Sequence, residues 1–189
     1  IGNGFVGKAT TQLKCKDISI TTLVYDLFPV NMPDFFPKGT KEGYNFYFKN
    51  IFLISDKIIT ISNFTKNEVM QFIKSNNIKN KMQIKTIYLG LDSIKNKIVK
   101  KNNLKFSNFI LMVGTLEPRK NYEYAIKLFC EFDKINNKDT KLVIAGNIGW
   151  DQNYLSNELF KNKLFNKKIF HLTPDDNELD YLYANCDFL

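Results

Sequence analysis

The stretch FILMVGTLEPRKNYEYAIKLF (109–129) decides the fold. It begins with five apolar residues, passes through a turn that contains glycine and proline, and ends in apolar residues at helical spacing. A run of consecutive apolar residues is typical of a strand that is covered on both faces of a parallel sheet. The stretch therefore predicts one strand and one helix of a βαβ fold.

The same alternation of strand and helix patterns extends along the chain on both sides of this stretch. Short β-branched and apolar runs predict strands over 18–26, 57–62, 84–90, 109–114, 141–146 and 168–172. Apolar residues at helical spacing predict helices over 63–76, 120–136 and 153–165. Strands that alternate with helices in this way indicate parallel sheets and the α/β fold class.

Two finer features of the helices can be predicted from their residues. In the helix over 120–136, one apolar stripe is expected to face the core; it contains Tyr124, Leu128 and Phe132, with Ala125 and Phe129. In the helix over 63–76, Thr65 followed by Glu68 has the spacing of a capping box and predicts the N-terminus of the helix.

A lysine-rich segment with weak periodicity, 93–108, separates the two series of elements. We interpret it as a linker between an N-terminal α/β domain over 1–92 and a C-terminal α/β domain over 109–189. Both are small for α/β domains, and the chain ends in an apolar run typical of a beginning strand. We therefore expect both domains to be incomplete and the chain to be an internal part of a longer protein.

Composition excludes several classes of protein. The 189 residues carry a net charge of +8, but all except one of the 27 basic residues are lysine, which favours a solvated lysine-rich surface over a nucleic-acid face. Neither an apolar run long enough to span a membrane nor a signal pattern is present. Cys15, Cys130 and Cys186 with the single His171 argue against a disulfide framework or a zinc site, and favour a reducing compartment.

The residues GTLEPRKN (114–121) predict a site for a diphosphate. They follow a strand and precede a helix, so backbone N–H groups, the positive end of a helix dipole, Arg119 and Lys120 should surround one point. Arg119 is the only arginine of the chain, and its planar fork can bind two phosphate oxygens at once. Glu117 can orient Arg119; the alternative is a surface ion pair.

Other residues at predicted strand ends are weaker candidates. Asp26 ends the first strand, where open parallel sheets place ligands, although an Asp that caps the following loop is an equal alternative. The prolines after Asp26 are expected to hold that loop extended. Gly146 and Gly149 allow a tight turn beside whatever the 114–121 loop binds. Trp150 and His171 are expected to be packing residues.

Gly2, Gly4 and Gly7 form a G-x-G-x-x-G pattern at the start of the chain. In a dinucleotide fold this pattern approaches a pyrophosphate, which would make the protein a nicotinamide-dependent enzyme. The pattern requires a preceding strand, and only Ile1 precedes it here. We therefore favour a loop that enters a helix.

Taken in order, several motifs resemble the retaining glycosyltransferases of family 4. They are TLVYDLFP (22–29), SDKIITISNFTKNEV (55–69), IKTIYLGLD (84–92), FILMVGTLEPRKN (109–121), KLVIAGNIGWD (141–151) and DDNELDYLYANCDFL (175–189). The motif VGTLEPRKN is similar to the mannosyltransferase-like branch that builds bacterial surface polysaccharides. The resemblance implies the GT-B architecture of two Rossmann-like domains.

The resemblance also implies an activity and a set of site residues. It implies transfer of a sugar such as mannose, with retention, from a GDP- or UDP-sugar to a saccharide or lipid-linked acceptor. It implies neither a metal nor another cofactor, no nucleic-acid partner, and a cytoplasmic location that includes the inner face of the membrane. Arg119 and Lys120 match the basic pair that holds the donor diphosphate, and Gly114 and Thr115 match the turn beneath it. Asp26 matches the acceptor edge, as a catalytic candidate.

Departures from the family pattern leave alternatives open. The family's E-x-F-G loop, whose acidic residues contact the donor sugar, would follow Leu189, and the segment around 173–178 matches a region near the nucleobase. We therefore expect the 189-residue chain alone to transfer no sugar. A non-catalytic remnant or partner-binding module is the alternative from a different class. The sequence identifies neither the sugar, the nucleotide, the acceptor nor the oligomeric state.

Overall fold

The computed structural model describes residues 18–90, 106–136, 138–151, 155 and 159–189. The chain divides into two compact units, one within residues 1–93 and the other within residues 94–189. Each unit contains a three-stranded parallel sheet, which confirms the predicted α/β class. The two units are described separately below.

The first unit contains the sheet β1-β2-β3, with the strands in sequence order. Its elements are β1 (Thr21–Val24), α1 (Phe28–Asn31), a 3₁₀ turn (Pro33–Phe35), α2 (Thr40–Ile54), β2 (Lys57–Thr60), α3 (Asn63–Ser75) and β3 (Gln83–Thr86). The register places Thr22 beside Ile58 and Ile58 beside Ile84. All three strands lie within the predicted runs or extend one residue beyond them.

The core of the first unit lies on one face of its sheet. Val24 and Ile58 pack there against Phe48 and Phe52 of α2 and Phe72 of α3. On β1, buried residues alternate with exposed ones, and Leu23 on the other face is 51% exposed. Within the described residues, β1 is therefore buried on one face only.

The second unit contains the sheet β4-β5-β6, also parallel and in sequence order. Its elements are β4 (Phe109–Val113), a 3₁₀ turn (Pro118–Lys120), α4 (Tyr122–Ile135), β5 (Lys141–Ala145), β6 (Ile169–Leu172) and α5 (Asp176–Asn185). The C-terminal residues add a parallel bridge on the free side of β4: Leu111 N donates to Phe188 O at 2.8 Å. The predicted strand start at the chain end is thus paired with β4.

The core of the second unit covers both faces of its sheet. Leu142 and Ile144 of β5 belong to a cluster that includes Tyr122, Ile126 and Phe129 of α4. Val143 and Ala145, which alternate with them, belong to a cluster on the other face that includes Leu182 of α5. Here the prediction of strands covered on both faces is confirmed.

The predicted apolar stripe of α4 is wrong for Tyr124 and Leu128 but confirmed for Phe129, which is buried. The residues that α4 buries are Tyr122, Ile126 and Phe129, whereas Tyr124 and Leu128 are 63% and 57% exposed. Both sets have helical spacing, so periodicity alone cannot choose between them. The choice is made by Tyr122, whose side chain enters the core and donates from Oη to Gly114 O at 2.8 Å.

Two local predictions in the first unit are also wrong. Helix α3 begins before Thr65: Ser62 is its N-cap and accepts from Thr65 N at 3.1 Å, while Glu68 accepts from the side chain of Asn31 instead of closing a capping box. The loop after Asp26 is not extended, because Pro29 and Pro33 each occupy the first turn of a short helical segment. Proline is favoured at these positions because its missing N–H would have no helical partner.

Some predictions fall outside the described residues or at their margin. The helix predicted over 153–165 is described at 155 and 159–165. Leu159 N donates to Leu155 O at 2.9 Å, as in a helix, but residues 161–165 form turns, so the prediction is wrong for that part. The rest of this range and most of the predicted linker lie outside the described residues. Phe106, which the linker interpretation included, packs against Phe109 and Phe170 of the second unit. Helix α2 was not predicted, because its aromatic residues lie on several sides of the helix and gave no single stripe.

Candidate functional site

Two loops meet at the carboxyl edge of the second sheet. The first loop (114–121) follows β4, and the second loop (146–151) follows β5. They are joined by backbone hydrogen bonds: Leu116 N donates to Asn147 O at 2.8 Å, and Gly149 N donates to Leu116 O at 3.1 Å. This edge is where open α/β sheets bind ligands. Strand β4 has β5 on one side and Phe188 on the other, so the direction in which successive strands are added changes at β4.

The contact between the loops requires the glycine at position 146. Gly146 has φ +155°, and a Cβ there would lie 2.1 Å from Gly114 O. The same Cβ would lie 3.3 Å from the backbone nitrogen of Thr115. Any larger residue at 146 would therefore separate the two loops. The sequence predicted a tight turn at this position but not the backbone contact with the other loop.

Arg119 lies at the surface of the first loop and is paired with Glu117. Its Nε donates to Glu117 Oε2 at 2.7 Å, and the side chains are 34% and 18% exposed respectively. The ion pair that the sequence allowed between these residues is therefore present. Within the described residues, the two terminal nitrogens of the guanidinium have no protein partner.

Lys120 and Gly114 lie close together in the first loop. The Nζ of Lys120 lies 3.7 Å from the position of a Cβ built on Gly114, and the carbonyl of Gly114 is held by Tyr122 Oη. A cavity of about 310 Å³ adjoins Lys120 and Tyr122, between Val113 and Tyr183. Sequence reasoning missed Tyr122; an aromatic residue directly at the helix start was the available signal.

The N-terminus of α4 adds backbone donors to the same region. Asn121 precedes the helix in the left-handed conformation, at φ +54°, and its side chain makes no capping bond. Uncapped N–H groups at a helix start favour an anion. The acidic residue of this first turn, Glu123, is paired with Lys127 along the helix.

In the third loop at this edge, after β6, two acidic residues bond to backbone N–H groups. Asp175 and Glu178 form a capping box at the start of α5: Glu178 N donates to Asp175 Oδ1 at 2.8 Å, and Asp175 N donates to Glu178 Oε2 at 3.0 Å. His171 Nε2 lies 2.8 Å from Gly146 O, so the ring has a partner, as expected. Trp150, which was expected to be a packing residue, is 46% exposed.

Asp26 lies in the first unit, at the end of β1. Its Oδ1 accepts from Phe28 N at 3.0 Å, which is the loop-capping role that the sequence left open. The backbone of the preceding residue is held by Thr65, whose Oγ1 donates to Tyr25 O at 3.1 Å. Asp26 is half-buried, and its capping bond uses only one of its two oxygens.

Several other sequence features can be placed briefly. Gly2, Gly4 and Gly7, on which the nicotinamide alternative rests, lie outside the described residues. Cys130 and Cys186 are free thiols. Among the helices described, none is long and apolar enough to cross a membrane.

Comparison with known proteins also finds similarity to glycosyltransferases. A serotype-specific mannosyltransferase WbdA of Escherichia coli is 27% identical over 176 residues, which cover 86% of this chain and 22% of that protein. Another WbdA of the same species is 26% identical over 198 residues, which cover 94% of this chain and 24% of that protein. The chain thus spans less than a quarter of the length of these relatives. The family model for glycosyl transferases group 1 matches residues 94–189, half of the chain, so the chain belongs to the glycosyl transferases group 1 family.

Proposed function

We propose that this chain is part of a retaining glycosyltransferase of family 4 with the GT-B architecture. Residues 1–92 supply part of the acceptor-side domain and residues 109–189 part of the donor-binding domain, both Rossmann-like. The enzyme transfers mannose from a GDP- or UDP-sugar to a saccharide or lipid-linked acceptor in surface polysaccharide synthesis. The mannosyltransferase relatives and the group 1 family match support this assignment.

The observation that carries the proposal is the arrangement of the first loop. Arg119, the only arginine of the chain, and Lys120 lie directly before an uncapped helix start, on a loop held against the sheet edge through Gly114. Two cations, a turn of backbone and a helix N-terminus suit a diphosphate, which carries more than one negative charge on adjacent groups. Thr115 and Gly114 form the turn against which the diphosphate packs.

The proposed chemistry follows from where charge develops. When the bond between the sugar's anomeric carbon and the diphosphate oxygen breaks, the bonding electrons remain on that oxygen. Arg119 and Lys120 stabilise the increasing negative charge, and fixed donors of this kind act most strongly in the transition state. Because these side chains supply the positive charge, the proposal includes no metal and no other cofactor. The proposed location is the cytoplasm, at the inner face of the membrane if the acceptor is lipid-linked.

The experiment is a titration of the purified chain with GDP and with UDP. Binding is measured by calorimetry and by the fluorescence of Trp150, the single tryptophan. We expect weak binding of one of the two. Arg119→Ala should lower that affinity about 10- to 100-fold, the loss expected for a hydrogen bond to a charged group of about 1.5–3 kcal/mol. Arg119→Lys should fall in between, because lysine keeps the charge but not the planar fork.

Lys134→Ala is the matched control, because Lys134 is a cation in an ion pair with Glu131 on the last turns of α4. It should leave the affinity unchanged. In a longer protein that contains this chain, Arg119→Ala should lower sugar transfer far more than it lowers the melting temperature. Equal affinity of the Arg119→Ala variant and the unsubstituted chain for both nucleotides would contradict the diphosphate site.

A further inference from the structure

Glu117 has an unusual position for one member of a surface ion pair. It precedes the 3₁₀ turn Pro118–Lys120 with extended backbone, and its carbonyl accepts from Lys120 N at 3.0 Å. Its side chain is only 18% exposed, although it belongs to a loop at the surface. A surface ion pair contributes little to stability, so the ion pair alone does not explain why the Glu117 side chain is largely buried.

The second loop determines where the Glu117 side chain can lie. A Cβ on Gly149 would lie 2.7 Å from Glu117 Cγ and 2.7 Å from Leu116 O, closer than Cβ atoms approach other atoms in proteins. The missing side chain at 149 therefore creates the space that the methylene groups of Glu117 occupy. The bond from Gly149 N to Leu116 O fixes this glycine against the first loop.

The geometry of the ion pair leaves the useful edge of Arg119 accessible. Glu117 accepts from Nε, on the side of the guanidinium that faces its own chain. The two terminal nitrogens are the pair that can hold two phosphate oxygens at once, and neither is used by a described residue. A bond at Nε removes rotational freedom of the side chain without occupying this pair.

We propose that Glu117 is a positioning residue for Arg119, and that Gly149 provides the space for it, so that the second loop sets the diphosphate affinity of the first loop. This inference rests on the proposed function, because it requires Arg119 to bind the diphosphate. The proposal predicts that Glu117 raises nucleotide affinity, whereas its negative charge alone would lower it. A carboxylate near a phosphate repels it, so without a positioning role the removal of Glu117 would raise nucleotide affinity.

The test compares Glu117→Ala, Glu117→Gln and the control Glu131→Ala in titrations of the 189-residue chain with GDP and UDP. Glu131 is an exposed carboxylate paired with Lys134, nine residues beyond the helix start, so its removal changes the net charge equally. Glu117→Ala should lower nucleotide affinity about fivefold, the effect of one lost hydrogen bond. Glu117→Gln should restore most of the affinity, because its amide oxygen can still accept from Arg119 Nε. Glu131→Ala should change nothing.

A double-mutant cycle separates positioning from a general effect on the loop. If Glu117 acts through Arg119, then Glu117→Ala should cause no further loss in the Arg119→Ala background. Gly149→Ala should lower the affinity at least as much as Glu117→Ala, and its effect should shrink in that same background. Melting curves followed by Trp150 fluorescence verify that each variant is folded.

The possible failures are distinguishable. If Arg119→Ala lowers nucleotide affinity but Glu117→Ala leaves it unchanged or raises it, the positioning role is wrong and the proposed function stands. The same conclusion holds if the two substitutions are additive. If Arg119→Ala has no effect, or the unsubstituted chain binds neither GDP nor UDP, the diphosphate site is wrong and the positioning role falls with it.

Discussion

The two sheets have the same strand order and are both parallel, but different contacts hold the loops at their carboxyl edges. At the edge of the first sheet, polar side chains bind the backbone beside them: Asp26 caps the start of α1, Ser62 caps α3, and Thr65 holds Tyr25. At the edge of the second sheet, the loops hold each other through backbone and glycine contacts, and α4 has no side-chain cap. Arg119 and Lys120 directly precede this helix start in the chain.

This difference shows why the diphosphate site is assigned to the second unit. A helix whose first N–H groups already bond a serine oxygen has less to offer an anion than one whose N–H groups are uncapped. Close contact between backbones leaves the side chains of the first loop available for a ligand. Three predictions test this comparison of the two units.

The first prediction concerns the glycines of the two units. Gly146→Ala should destabilise the second unit by about 3 kcal/mol, because the new Cβ would collide with Gly114 O and strain the backbone. Gly39→Ala, in the first unit, should cost only about 1 kcal/mol: φ is +83°, but no atom lies within 4 Å of the new Cβ. Denaturant unfolding followed by Trp150 fluorescence reports the second unit, and hydrogen exchange reports the first. Equal costs at both positions would contradict the loop contact.

The second prediction concerns Asp26 and the division of roles between the units. Asp26→Asn keeps an oxygen that can accept from Phe28 N, so the fold of the loop should persist. If the carboxylate serves the acceptor, sugar transfer by a longer protein containing this chain should fall about tenfold or more. Affinity for GDP or UDP should change less than about twofold, since the proposed nucleotide site lies in the other unit. Lost nucleotide affinity in calorimetry would place Asp26 in the donor site or in the fold itself.

The third prediction compares the two helix starts and has the smallest effect. Ser62→Ala should destabilise α3 by about 1 kcal/mol, the usual cost of a lost N-cap. Asn121→Gly should stay within about 0.5 kcal/mol, because no side-chain cap is lost and glycine accepts φ +54° without strain. Hydrogen exchange of residues 63–75 and 122–135 measures the two helices. A large loss at Asn121 would show that α4 has a cap after all.

Local patterns were sufficient for much of the fold. The six strands described lie within one residue of the predicted runs. They could be predicted because each contains β-branched or apolar residues within a run of four or five. The predicted helices α3 and α4 were found for a similar reason, whereas residues 161–165 of the third predicted helix form turns. The sequence also singled out GTLEPRKN, since a turn between strand and helix with the only arginine of the chain can be read without knowing any long-range contact.

Tertiary structure decided which of several possible local arrangements is used. The rotation of α4 depends on Tyr122 reaching Gly114, eight residues earlier, and the burial of only one face of β1 depends on what packs against the sheet. The cap of α3 fell to Ser62 instead of Thr65, because Thr65 turns toward Tyr25, forty residues away. In each case the sequence offered alternatives of similar local energy, and a distant contact selected one of them.

The candidate site divides in the same way. The sequence by itself determined its chemistry: the residue types, their order and their place between a strand and a helix. Only the tertiary structure brought Gly146 against Gly114 and Gly149 against Glu117, the residue that accepts from Arg119 Nε. The reason is physical, because the space that a missing Cβ leaves for another loop depends on atoms about thirty residues away in the chain.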